Sequence, residues 1–359
     1  MGKPLLQFND CGIYCAAGNF YIDPWKPVDD AVITHAHSDH ARWGNKRYLA
    51  HHLSREVLKY RLGADIQLQT VEYGEQITKN GVKISFHPAG HIIGSAQIRV
   101  EYKGEVWVAS GDYKLEDDGV STPFEPVKCH TFISECTFGM PVYKWQDPAL
   151  VHQDINNWWK QNAEEGTTTV IAGYSLGKAQ RIIKHLDLDI GKIFMHGVIA
   201  NTHDALERNG IELPAATRIT PETSKDELKK GIVICPPSAL GSPWTKRFQP
   251  YSLGYCSGWM ALRGAKRRRA ADRGFVLSDH ADWDGLIKAI DATSCECVCL
   301  THGYTASFAR YLSERGYNAH EAHTYYGGDE ATEEDELPVD LVNDKAEVIQ
   351  EQPKEGDGL

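Results

Sequence analysis

The sequence has no apolar run approaching the roughly 18 residues of a membrane-spanning helix, which argues against a helical membrane protein. Met1 to Asp10 carries no basic segment followed by an apolar stretch, so no secretory leader is expected and the cytoplasm is the expected location. Nine cysteines are an odd number without paired spacing, which argues against a disulfide framework. Cys11 and Cys15 have no second pair nearby to complete a zinc site. Cys295, Cys297 and Cys299 alternate as one face of a strand, so the thiols read as packing groups in a reducing compartment. There is no internal repeat or low-complexity segment before residue 329.

Net positive charge is also lacking. The chain of 359 residues carries a formal −11, which taken whole argues against a polyanionic partner. The distribution says otherwise. From Asp329 to Leu359 twelve acids face two lysines, so that segment holds −10 and residues 1–328 are near −1. The segment is poor in large apolar residues and is expected to be a disordered acidic tail, serving solubility or mimicking nucleic acid in a basic groove. Between Ser242 and Arg273, eight Lys or Arg, among them Lys246, Arg247, Arg267 and Arg268, face the single acid Asp272. Trp244, Phe248, Tyr251 and Trp259 are interleaved, the pattern of a surface that binds a phosphate backbone and stacks bases.

What is present is an ordinary globular composition, 42% hydrophobic and 24% charged, on a chain long enough for two compact units. Residues 1–135 alternate short β-rich runs with turns. Strands are expected at Phe20–Asp23, Ala31–Thr34, Val82–Phe86, Gln97–Tyr102, Glu105–Ala109 and Thr131–Ser134, with a helix at Leu53–Leu62 and a hairpin turn at Lys103-Gly104. From Pro148 strands and helices alternate: helices at Ala149–Ala163, Leu176–Leu186 and Asp204–Arg208, strands at Thr168–Ala172, Lys192–Met195 and Gly231–Cys235. That rhythm predicts a small parallel sheet with covering helices. A strand at Phe275–Leu277, a helix at Trp283–Ile290, a strand at Glu296–Leu300 and a helix at Ser307–Arg315 complete the pattern.

One stretch dominates the chemistry. Thr34-His35-Ala36-His37-Ser38-Asp39-His40 follows the apolar run Ala31-Val32-Ile33. His35 and His37 at i and i+2 can aim two imidazoles at one ion, while Asp39 and His40 face a second. This donor set suits zinc-like metals. Further polar residues recur immediately after apolar strands: Asp23, His91 in Ala89-Gly90-His91-Ile92-Ile93-Gly94-Ser95-Ala96, Asp112 in Ser110-Gly111-Asp112, and His302 in Thr301-His302-Gly303. Together they could complete two metal shells on one rim of a sheet.

In this order the residues resemble the motifs of the metallo-β-lactamase superfamily, and the His91 segment is similar to its nucleic-acid branch, the β-CASP nucleases. The resemblance spans about residues 8–325 and further matches Glu135 in Ser134-Glu135-Cys136 and His280 in Ser278-Asp279-His280-Ala281-Asp282. As a whole the chain looks most like bacterial ligase-associated DNA exonucleases, relatives of Artemis and the cross-link-repair nucleases. Two features pull in different directions. His302 is similar to the late histidine of the RNA-processing members, which Artemis-type enzymes generally lack. Gly173-Tyr174-Ser175-Leu176-Gly177-Lys178 looks like the segment that holds a terminal 5′-phosphate in the cross-link-repair group. Ser175 is expected there as a helix N-cap, with the Gly177 region and Lys178 attracting the anion.

The resemblance implies a four-layer αβ/βα metallo-β-lactamase fold, residues 1–145 and 274–328, with an inserted α/β β-CASP cap at 146–273 and the tail at 329–359. It implies two divalent ions, Zn2+ first and Mn2+ or Fe2+ as substitutes. His35, His37 and His91 would hold one, Asp39, His40 and His302 the other, and Asp112 would bridge them. Two ions ~3.5–4 Å apart can activate a water and clamp a phosphodiester. His280 would be the general acid, Glu135 would orient it, and Asp23 would orient a ligand from behind. The implied function is a DNA exonuclease in repair with a 5′-phosphate preference, associated with a DNA ligase and helicase and with no membrane. An RNA-processing nuclease, a small-molecule thioester or lactam hydrolase, and a metal-free binding module remain alternatives.

Overall fold

The computed structural model describes residues 4–322 and 324, so the expected acidic tail lies outside the described residues. A first six-stranded sheet is built from β1 (Gln7–Asn9), β2 (Gly12–Cys15), β3 (Phe20–Ile22), β4 (Asp30–Val32), β5 (Arg47–His51) and β6 (Leu68–Val71), in that order. The first two pairings are antiparallel and the other three parallel. Helix α1 (Arg55–Leu62) connects β5 to β6.

The chain then enters a second sheet through β7 (Gln76–Lys79), β8 (Val82–Pro88), β9 (Ala96–Tyr102), β10 (Glu105–Ala109) and β11 (Thr131–Cys136). Its tight hairpins are made by residue pairs with positive φ, Asn80-Gly81 and the expected Lys103-Gly104 (52° and 87°). Such pairs give the turn a twist that matches the flanking strands.

A third unit follows. Helix α2 (Pro148–Glu164) starts where Asp147 accepts a hydrogen bond from the Ala149 amide at 2.9 Å and Pro148 occupies the first turn. Val151, Ile155, Trp158 and Trp159, spaced at i, i+4, i+7 and i+8, turn its apolar face inward. Then come β12 (Thr168–Ala172), α3 (Lys178–Lys184), β13 (Ile193–Met195), α4 (Gly197–Arg208), β14 (Thr217–Arg218), α5 (Lys225–Lys229) and β15 (Ile232–Cys235). They are followed by α6 (Pro243–Lys246), β16 (Tyr251–Cys256), α7 (Ala265–Arg268) and β17 (Arg273–Phe275). These strands make a third sheet in the order β14-β13-β15-β12-β16-β17, every neighbour parallel.

The chain returns to the second sheet with α8 (Trp283–Thr293), β18 (Cys297–Gly303), α9 (Thr305–Glu314) and β19 (Asn318–Glu321). The order there is β19-β18-β11-β10-β9-β8-β7. A mixed α/β protein of three sheets results.

One apolar cluster joins the first two sheets face to face, with Ile22 and Val32 meeting Phe86, Ile98, Ile133 and Cys299. A second packs α8 and α9 under the second sheet through Leu286, Ile290, Phe308 and Leu312. A third mixes Ala31 and Ala50 of the first sheet and Val57 and Leu58 of α1 with Leu176, Ala205 and Leu206 of the third unit. The functional face therefore has packed walls on both sides. Among the described residues no helix is long and apolar enough to cross a membrane.

Four expectations shift. The helix expected at Asp204–Arg208 runs from Gly197, because the His196 ring caps it by accepting from the Val198 amide. The strand at Phe275–Leu277 lies two residues earlier, as β17. It pairs with β16 in the third sheet, straddling the expected boundary at 273/274. The stretch read as a basic, base-stacking surface contains β16, buried over Leu253–Cys256. Phe248 is core, and Trp244 packs edge-on against it at 4.6 Å.

Strand β4, which delivers the histidine motif, is tied on both sides by Asp30. Its carboxylate accepts from Arg47 of β5 at 2.7 Å twice and pairs with Lys79 of β7 at 2.9 Å. The Arg47 hydrogen bonds, with Lys79, hold the Asp30 carboxyl down to about 2. A depressed carboxylate stabilises the fold above its ordinary pKa, and that stability is lost as pH falls toward 2. Asp30→Asn is expected to cost about 1 kcal/mol or less near neutral pH, the range of partly exposed ion pairs. In denaturant titrations the difference should vanish toward pH 2.

Candidate metal centre

The polar residues converge because each follows the carboxyl end of a strand. Thr34 and His35 leave β4, His91 leaves β8, Asp112 leaves β10, Glu135 is on β11, Asp279 and His280 follow β17, and His302 is on β18. His35, His40, His91 and Asp112 are buried to 4% exposure or less.

At the middle lies the Asp112 carboxylate. Four imidazole nitrogens surround it: His302 Nε2 at 3.0 Å, His35 Nε2 at 3.4 Å, His40 Nε2 at 3.5 Å and His91 Nε2 at 3.7 Å. On one side His91 Nε2 is 3.0 Å from His37 Nδ1, and on the other His40 Nε2 is 3.4 Å from Asp39 Oδ2. The donor atoms fall into overlapping sets, His35/His37/His91/Asp112 and His40/Asp112/His302, with Asp39 beside His35 and His40.

Each imidazole is also held from behind, which fixes the nitrogen that faces inward. His37 Nε2 donates to the Leu176 carbonyl at 3.1 Å, and His91 Nδ1 donates to the Asp279 carbonyl at 2.7 Å. His40 Nδ1 meets Asp23 Oδ2 at 2.7 Å. Asp23 is itself fixed by the Thr34 amide at 2.8 Å and the Thr34 hydroxyl at 2.5 Å. His35 Nδ1 lies 3.0 Å from that hydroxyl, and its Nε2, fully buried, has no hydrogen-bond partner.

A buried imidazole nitrogen without a donor or acceptor is costly unless something else fills the position. A divalent ion fits it. Burial pushes His35 down to about 3 and lowers His37 and His91 as well, so these rings are neutral and have a lone pair to offer.

Glu135 and His280 form a second device beside the first. His280 Nδ1 is 2.9 Å from Glu135 Oε1, and its ring centroid is 4.7 Å from that of His91. Glu135 is locked by the Tyr113 and Thr137 amides at 3.0 and 3.2 Å and by the Thr137 hydroxyl. Burial opposes charge on His280, but Glu135 and then Asp112 outweigh it and lift the ring to about 9. Its Nε2 is thereby left as the end that can give a proton.

Sequence reasoning missed four supports: the Leu176 carbonyl, the Asp279 carbonyl, the Thr34 hydroxyl, and Arg61, which donates to the Ala36 carbonyl. Backbone acceptors carry no residue signature. Thr34, Leu176 and Asp279 lay inside quoted motifs, but not as supports of the imidazoles.

The expected phosphate and nucleic-acid residues divide. Ser175 and Lys178 line the same cavity as His37, His91, Asp112 and His280. Ser175 is not an N-cap, however: Gly177 holds that position, and its amide is taken by Gln180 Oε1 at 2.6 Å. Lys178 lies over the Tyr174 ring at 4.5 Å and 3.6 Å from Asp279. Lys246, Arg267 and Arg268 are exposed on the third unit and do not line the cavity. Arg247 is spent locally, donating to the Thr220 and Thr223 carbonyls. Of the four aromatics, Trp259 alone lines the cavity.

The turns that present these ligands are tight. Gly303 has φ of +95°, and a Cβ there would lie 2.1 Å from the Cys136 carbonyl oxygen. Gly303→Ala is expected to destabilise the fold by more than about 2 kcal/mol and to displace His302. Thermal unfolding checks the first effect and metal content the second.

No family model matches the chain. Among curated proteins it is 30% identical over 312 residues to a probable DNA ligase of Opitutus terrae, covering 86% of this chain and 30% of that protein. It is 29% identical over 126 residues to cleavage and polyadenylation specificity factor subunit 3 of Dictyostelium discoideum (34% and 16% covered). An RNase J-like protein of Methanocaldococcus jannaschii is 27% identical over 209 residues (51% and 48%). The chain thus spans less than half the length of each of these relatives. A crystal structure of a protein of unknown function from Enterococcus faecalis shares the fold, with TM-score 0.57 at 12% identity over 83% of this chain and 80% of that one.

The fold, the donor cluster and these matches support a relationship to the metallo-β-lactamase-fold nucleases of the β-CASP branch. Within that branch the chain is related to the ligase-associated members.

Proposed function

We propose that the protein is a dinuclear-metal nuclease that hydrolyses DNA from an end, in repair, with a preference for a 5′-phosphate. The observation that carries the hydrolytic reading is the Asp112 carboxylate ringed by four imidazole nitrogens, with the His280–Glu135 pair alongside. His35, His37 and His91 would hold one ion, Asp39, His40 and His302 the other, and Asp112 both. When bound, Zn2+, or Mn2+ or Fe2+ in its place, supplies Lewis acidity at a phosphodiester and makes an attacking water more acidic. The rest falls to the chain. Asp23 and the Asp279 and Leu176 carbonyls keep the imidazoles aligned, Glu135 fixes the His280 tautomer, and His280 Nε2 protonates the leaving oxygen.

A DNA substrate is supported by the long match to a protein named as a probable DNA ligase, which also favours a ligase as partner in a repair setting; a helicase partner and a cytoplasmic location belong to the same reading. A terminal phosphate is supported by Lys178, which lines the cavity and shares the single carboxylate of Asp279 with Arg181. The three apolar clusters favour the four-layer reading, with 1–145 and 274–328 as core and 146–273 as cap. Lys246, Arg267 and Arg268 would then meet the strand outside the cavity.

RNA is the second reading, favoured by His302 at 3.0 Å from Asp112 and by relatives named as RNA-processing proteins. Cleavage of end-labelled DNA and RNA strands, with and without a 5′-phosphate, separates the two. Faster trimming of 5′-phosphorylated DNA is expected, and His37→Ala should abolish it. Equal or faster cleavage of RNA would shift the assignment to RNA processing.

A further inference from the structure

A second metal-competent cluster lies on the far edge of the second sheet, where the sequence suggested only packed thiols. Cys297 and Cys299 project from one face of β18, two residues apart. On the neighbouring parallel strand β19, His320 is the register partner of Cys299. Its imidazole lies against both thiols, Nε2 at 3.1 Å from Cys299 Sγ and Nδ1 at 3.9 Å from Cys297 Sγ. One donor atom from each residue falls within 4.8 Å of the others.

Three features separate this arrangement from core packing. An exposed, ionisable ring is turned onto two sulfurs, one of them only 2% exposed in the core cluster between the sheets. Two sulfurs and one imidazole nitrogen are a soft donor set, the choice of zinc and its thiophilic neighbours rather than of magnesium or calcium. The thiols are also poorly placed for the competing fate. Residues i and i+2 of a strand have Cα atoms about 6.6–6.8 Å apart with parallel side chains, at the limit of disulfide reach.

We infer that Cys297, Cys299 and His320 form a structural site for a thiophilic divalent metal, Zn2+ being the fitting ion, with the fourth position open to solvent. Its effect would be to staple the edge strand β19 to β18, whose residue His302 follows Cys299 by three positions.

Cobalt tests this without reference to activity. The candidate metal centre at Asp112 has no sulfur ligand, so thiolate-to-cobalt charge transfer in the near ultraviolet reports the edge site alone. Titrating Co2+ into metal-free protein should develop that band to the intensity of one thiolate-bound Co2+ per chain, and Zn2+ should bleach it. The Cys297→Ser/Cys299→Ser double variant should lack the band. His320→Ala, at an exposed position, should weaken Co2+ binding at this site by about tenfold or more. No band in the wild-type protein, or a band unchanged in both variants, overturns the site.

Discussion

Asp112→Asn is expected to reduce phosphodiester hydrolysis by at least about 10³-fold, equivalent to about 4 kcal/mol of transition-state stabilisation. Asn keeps the shape of the carboxylate but loses its charge and one acceptor. The charge matters because His302, His35, His40 and His91 all face this one group between 3.0 and 3.7 Å. Among the described residues Asp39 is grouped with just one ring of each set, His35 and His40, and Asp23 stands behind His40, whereas Asp112 faces rings of both sets. The variant should therefore bind fewer than two ions, and added metal should not restore the rate. Removing buried charge from among imidazoles held by their own hydrogen bonds should leave the fold standing, which circular dichroism checks. A variant that retained two ions and full activity would remove Asp112 from its assigned position.

The second large effect concerns His280. His280→Gln is expected to lower the rate on an oligonucleotide by about 10²–10⁴-fold, the usual range for a lost general acid, while metal content stays unchanged. A substrate with an acidic leaving group distinguishes this from damage to the site. Bis(p-nitrophenyl) phosphate releases a phenolate that needs no proton, so its turnover should fall far less. Glu135→Gln should reproduce the pattern in weaker form, since the Glu135–His280 contact at 2.9 Å fixes the tautomer and lifts the ring to about 9. Equal losses on both substrates would make His280 a structural residue.

Much of this was legible in the sequence because metal chemistry demands rare residue types at short spacing. The His35–His40 run sits where the end of β4 was expected, and the glycine-flanked His91, Asp112 and His302 follow strands that the period-2 pattern marks. The parts that stayed hidden are those where the informative group has no side-chain signature or where partners lie far apart in the chain. His37 and His91 are aligned by the carbonyls of Leu176 and Asp279, at separations of 139 and 188 residues. Strand β16 was concealed by arginines on both sides, and its aromatics turned inward rather than toward a substrate. The helix-capping role given to Ser175 failed because Gly177 has φ of +93°, a turn open to glycine, and the helix starts after it. His320 gave no signal at all until the parallel register of β18 and β19 put it beside Cys299.

The central claim is that two divalent ions straddling Asp112 make this chain a phosphodiesterase. Titrating Mn2+, a hard ion that avoids thiols, into metal-free protein while following cleavage of a labelled oligonucleotide tests it most directly. Activity should be absent without metal and reach its plateau only as the second ion binds, with the spectroscopic signature of a coupled pair. Cleavage by metal-free protein, or a plateau at a single bound ion, would contradict the account.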